Sequence, residues 1–124
     1  MTSFFERLEK RAREVDSLLC IGIDPHPADL PEQTVQALRG FSLKLIEQTA
    51  HLAAAFKPNA AFFERFGPDG WQVLREVIAA VPQGIPVLLD AKRGDIASTA
   101  EAYASSAFER LGADAITLSP YLGH

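Results

Sequence analysis

Four apolar runs each give way to a polar or charged residue, and the four changeovers lie about thirty residues apart, the length of one βαβ unit. The runs lie in SLLCIGI, AAAFKPNA, IPVLLDA and ADAITLSPY, which predict strands with their ends at Asp24, Lys57, Asp90 and Ser119. Between them the apolar period is helical. Val35, Leu38, Leu43, Leu45, Ile46, Ala50 and Ala53 predict helix over 32–54, interrupted and broken in two at Gly40. Gly67-Pro68-Asp69-Gly70 reads as a turn, and Trp71, Leu74, Val77, Ile78 and Val81 then predict a helix that Pro82 stops. Ser98 as N-cap with Glu101 three residues on predicts a helix over 99–111 that ends at Gly112. Ahead of the first run, Ser3 and Glu6 match a capping box for an amphipathic helix over 3–16, placed to close one end of a core.

Strand alternating with helix predicts right-handed crossovers and a parallel sheet. An open doubly wound sheet and a closed (β/α)8 TIM barrel both satisfy that rule. No GxGxxG or Walker A sequence follows any strand, whereas polar residues recur at strand C-termini, where barrel enzymes place their chemistry. The reading is therefore α/β, of the barrel type. A whole barrel takes about 250 residues. With 124 residues, the chain holds about half of one.

Twelve basic residues against sixteen acidic ones give a net charge of −4 without a basic stripe, which argues against nucleic acid as a partner. Cys20 is the single cysteine; no internal disulfide can form, and its apolar setting reads as an inert core thiol. The charged N-terminus lacks the apolar segment of a secretory signal, and no run reaches the ~20 apolar residues of a membrane span, so the cytoplasm is the expected compartment.

LLDAKRGDIAST turns from apolar to charged within one strand. Asp90 and Lys92 are two apart, so strand period points both to one face, the barrel interior if Val87 and Leu89 pack outward. Gly94 allows a tight turn before Asp95. Asp90 with Lys92 could be a structural ion pair, but Asp24 and Lys57 end other strands in the same way and converge on the same mouth. Two lysines and up to three carboxylates in one cleft are costly for stability alone, which favours a site. Such an array suits proton donation to a carbanion or stabilisation of developing negative charge. Metal ligation by Asp24, Asp90 and Asp95 stays open, although interleaved lysines argue against a closely bound cation.

The D-x-K-x-x-D spacing of LLDAKRGDI resembles the signature of the orotidine 5′-phosphate decarboxylase family. IGIDPHPADLP, FKPNAAFFERFG and ITLSPYLG resemble, in order, the longer bacterial branch, so the likeness spans essentially the whole chain. It implies decarboxylation of orotidine 5′-monophosphate to UMP and CO₂, the last step of UMP biosynthesis, with no cofactor and no metal. It also implies that Lys57, Asp90, Lys92 and Asp95 form the catalytic network, Asp90 against the scissile carboxylate and Lys92 protonating C6. Asp24 and Lys57 would bind ribose hydroxyls, Lys57 also positioning Asp90. A homodimer with shared sites is implied, Asp95, Ile96 and Thr99 reaching into the partner's. The family's pyrimidine-reading serine, mobile phosphate-gripping loop and phosphate-binding arginine belong to strands five to eight. The resemblance therefore implies that residues 1–124 are the first four βα units, the N-terminal half of a single barrel domain and a fragment, with little or no activity expected from them alone.

Two sugar-phosphate enzymes of the same suprafamily, 3-keto-L-gulonate 6-phosphate decarboxylase and hexulose 6-phosphate synthase, share D-x-K-x-x-D but use Mg²⁺ and carry a glutamate on strand two. Lys57 speaks against them. A non-catalytic half barrel that dimerises or pairs with a missing half is the reading from another class. His26 and His51 read as solvated, His124 as a chain end, Trp71 as packing on the barrel exterior, and Phe62 and Phe63 as core residues opening the loop after strand two.

Overall fold

The computed structural model describes residues 1–121; Leu122 and Gly123 of the ITLSPYLG motif, and His124, lie outside them. Helix α1 (Phe4–Val15) precedes strand β1 (Cys20–Ile23), a short 3-10 turn (Pro27–Asp29), helix α2 (Val35–Thr49) and strand β2 (Ala55–Pro58). Helices α3 (Ala60–Glu64) and α4 (Gly67–Ala80) lead to strand β3 (Leu88–Arg93), helix α5 (Ala97–Ala104), which widens into a π-helical turn over Ser105–Arg110, and strand β4 (Ala115–Leu118). Strands β1 and β2 pair in parallel, as do β3 and β4, and parallel bridges Phe56↔Val87 and Asn59↔Asp90 join the pairs. The strand order is therefore sequential, β1-β2-β3-β4, as expected for half of a barrel.

Ile23, Phe56 and Leu89 on the strands and Leu38, Phe63, Val73, Leu74 and Val77 on the helices form one buried core. Helix α1 has no buried residue of its own; it crosses the N-terminal ends of the strands, held by polar side chains. Arg11 donates to the carbonyls of Ala50 and Ala53 ahead of β2, and Arg7 pairs with Asp114 ahead of β4 at 2.6 Å. The capping box forms: Ser3 Oγ accepts from the Glu6 N–H, and Glu6 Oε2 from the Ser3 N–H.

Several expectations are corrected. Helix α2 is continuous through Gly40, because Thr34 caps its start and the buried Leu38, Ser42 and Ile46 outweigh the roughly 1 kcal/mol a helical glycine costs. The Gly67-Pro68-Asp69-Gly70 turn is the first turn of α4, with proline near its N-terminus, where a missing N–H costs nothing. Phe62 and Phe63 lie in α3, capped by Asn59 Oδ1, and not in a loop; Gly70 lets α3 and α4 touch, since a Cβ there would strike the Phe63 carbonyl. Ser98 falls inside α5, which starts one residue earlier behind Ile96. The first strand is shorter than its apolar run, leaving Leu18 and Leu19 exposed, and Cys20 is exposed where a core thiol was expected. An edge strand shares its surface with one neighbour only, and among the described residues β1 pairs with β2 alone.

Candidate active site

The charged residues gather at the C-terminal ends of β2 and β3, opposite α1. Leu89 and Ala91 line a crevice with Trp71 and Ala107 of the surrounding helices, so the alternate residue Asp90 turns away from them. Its side chain is only 12% exposed, and its Oδ1 lies 2.6 Å from Lys92 Nζ, whose side chain is 68% exposed. Lys57, half-buried, sits opposite Gly22 in the β1/β2 register and acts on Asp90 through its charge. The Lys92 ammonium holds the Asp90 carboxyl below the usual carboxylate value; burial opposes this, and the Thr117 hydroxyl and the charges of Lys92 and Lys57 reinforce it.

Lys92 does not reach Asp90 by regular strand geometry. Register passes from Leu89↔Ile116 directly to Arg93↔Leu118, so Asp90, Ala91 and Lys92 bulge opposite the single residue Thr117. Lys92 takes φ +50°, a left-handed conformation that costs a side-chain-bearing residue about 1–2 kcal/mol. The bulge folds the amine back onto the carboxylate two residues earlier.

The remaining expected residues are placed less tightly. Asp24 is half-buried just after β1, beside Gly22. Asp95 accepts the Ile96 N–H at 2.7 Å, and among the described residues no hydrogen bond or ion pair links it to Asp90 or Lys92. Ile96 is 71% exposed at the start of α5, and Thr99 is half-buried within it. Among the described residues no three His, Cys, Asp or Glu side chains gather as a metal cluster. His26 is exposed yet packs edge-on against Phe62, with ring centres 4.4 Å apart; His51 is exposed, and Trp71 is half-buried on α4 against the core.

Residues 17–124 match the family described as "Orotidine 5′-phosphate decarboxylase / HUMPS family". The chain belongs to that family. Within it, the orotidine 5′-phosphate decarboxylases of Herpetosiphon aurantiacus and Roseiflexus castenholzii are 52% and 49% identical to this chain over 124 residues. Each alignment covers 98% of this chain but 46% and 45% of those proteins, so the chain spans about half the length of the curated relatives it matches. The Leishmania donovani OMP decarboxylase structure superposes with a TM-score of 0.88 at 59% identity, over 98% of this chain and 46% of that one. The half-barrel reading and the family likeness both hold, and the part matched is the N-terminal half.

Thr117 escaped the sequence reading of this family member, and Arg93 enters it only as one of the charges of LLDAKRGDIAST, with no role in the site. Thr117 contacts Asp90, Ala91 and Lys92, while Arg93 pairs with Glu64 of α3 at 2.7 Å and lies over the Tyr103 ring. The signal for Thr117 was a polar residue inside the apolar run AITL, one strand away from the charged motif.

Proposed function

We propose that this chain is the N-terminal half of a single (β/α)8 domain whose full-length protein decarboxylates orotidine 5′-phosphate to UMP and CO₂ without metal or cofactor. The observation that carries the reading is the ionised Asp90 held 2.6 Å from Lys92 at the C-terminal end of β3, within the field of Lys57. In this scheme the anionic Asp90 faces the substrate carboxylate. The bond from C6 to the carboxyl carbon breaks, its electron pair stays on C6, CO₂ leaves, and the Lys92 ammonium gives its proton to C6. The resulting neutral amine regains a proton from water. Lys57 holds Asp90 in place and, with Asp24, binds ribose hydroxyls. The exposed Ile96, with Asp95 and Thr99, is suited to completing the site of a second subunit in a cytoplasmic homodimer.

The 124-residue chain by itself is expected to be inactive, because energy from binding the phosphate would be supplied by the other half. The test is loss of orotidine absorbance when the full-length protein meets the nucleotide in excess chelator. Turnover under those conditions supports the reading. Activity appearing only with Mg²⁺, or only on a sugar phosphate, overturns it in favour of the metal-dependent branch; no activity on either substrate overturns it in favour of a non-catalytic role.

A further inference from the structure

The geometry points to Thr117 as the positioning residue of the Asp90/Lys92 pair, its single hydroxyl closing the β3 bulge from one side while aiming Asp90 from the other. Thr117 Oγ1 accepts the Ala91 N–H at 3.1 Å and the Lys92 N–H at 3.0 Å, and donates to Asp90 Oδ1 at 2.8 Å. A hydroxyl has two acceptor sites and one proton. Both acceptor sites are taken by backbone donors, so the proton has one place to go, the carboxylate. The bulge needs this arrangement. Three residues of β3 stand opposite one of β4, so the ladder has no backbone carbonyl for two of the N–H groups it displaces. Thr117 collects them, and in doing so fixes the left-handed backbone of Lys92 from which the amine returns to Asp90.

The role rests on the reaction proposed above, yet it can be tested apart from it. Lys92 of β3 and Lys57 of β2 are the charged groups acting on Asp90; Thr117 is the neutral donor, so its removal leaves the local charge unchanged. In the full-length protein, Thr117→Val keeps shape and removes the hydroxyl. The Asp90 carboxyl, followed by ¹³C NMR of side-chain-labelled aspartate, is expected to titrate at higher pH than in the parent. kcat is expected to fall at least about tenfold, with KM changed much less, and Thr117→Ser to restore both. If the valine variant does not fold, Thr117→Ala serves for the same readouts, and hydrogen exchange on the unmodified protein needs no substitution: the Ala91 and Lys92 amides are expected to be protected. An unshifted Asp90 titration, unprotected amides, or a serine variant no better than valine overturns the assignment. Should the parent prove inactive on orotidine 5′-phosphate while the titration and exchange results hold, the proposed reaction fails and the positioning role of Thr117 stands.

Discussion

Two carboxylates, Asp114 and Asp90, sit at opposite ends of the same parallel sheet, each 2.6 Å from a cation. Asp114 lies at the N-terminal end, where Oδ1 takes Arg7 and Oδ2 takes the Val87 N–H at 2.8 Å; both oxygens are committed to protein partners. Asp90 lies at the C-terminal end, where Lys92 and Thr117 both meet Oδ1, and among the described residues Oδ2 accepts no hydrogen bond. Backbone conformation differs as well. Arg7 reaches Asp114 from a regular helix, whereas Lys92 reaches Asp90 from a bulge with φ +50°. The same ion-pair chemistry thus locks α1 across one end and, at the other, holds a carboxylate with an oxygen to spare beside an exposed amine. One end is built for cohesion. The other tolerates strain to present charge.

The largest effect separates the two ends by function. In the full-length protein, Lys92→Ala is expected to lower decarboxylation on the order of 1000-fold while a UMP-like ligand still binds, because a positioned general acid typically contributes that much. Near-normal turnover would remove Lys92 from the proton-donor role. At the opposite end, Asp114→Ala is expected to lower unfolding free energy by about 1–3 kcal/mol, since it orphans the N–H of buried Val87 as well as Arg7. Equilibrium denaturation in urea checks this, and an unchanged midpoint would show that α1 is held by other contacts.

The smallest effect is in pH. Asp90 has a folded pKa below its unfolded value, so its contribution to stability is full above the ordinary carboxylate range, near pH 4, and is lost as pH falls through the lowered value. The difference in Tm between the parent and Asp90→Asn is therefore expected to shrink as pH falls below about 4. A difference that grows on acidification would reverse the sign assigned to the Lys92 interaction.

The alternation of strand and helix, the α1 capping box and the nearness of Asp90 to Lys92 were legible in the sequence because each depends on short-range spacing. Helix ends were less so: Gly67-Pro68 serves a turn and a helix start equally well, and tertiary contact between α3 and α4 decided between them. The exposure of Cys20 depends on which strands flank β1, a property of the sheet rather than of the run LLCIGI. The bulge in β3 was hidden for the same reason, since it exists only against β4, and with it the part played by Thr117. Period two placed Asp90 and Lys92 on one face, but the contact is made by a backbone that departs from that period.

The claim that the C-terminal end of β3 accepts backbone strain in order to aim an amine is tested most directly by the stability of Lys92→Gly relative to Lys92→Ala. Both remove the same charge and differ only in freedom at φ +50°. Glycine is expected to be the more stable by about 1 kcal/mol in urea unfolding. Alanine more stable than glycine, by the 0.5–1 kcal/mol usual inside an ordinary strand, would contradict it.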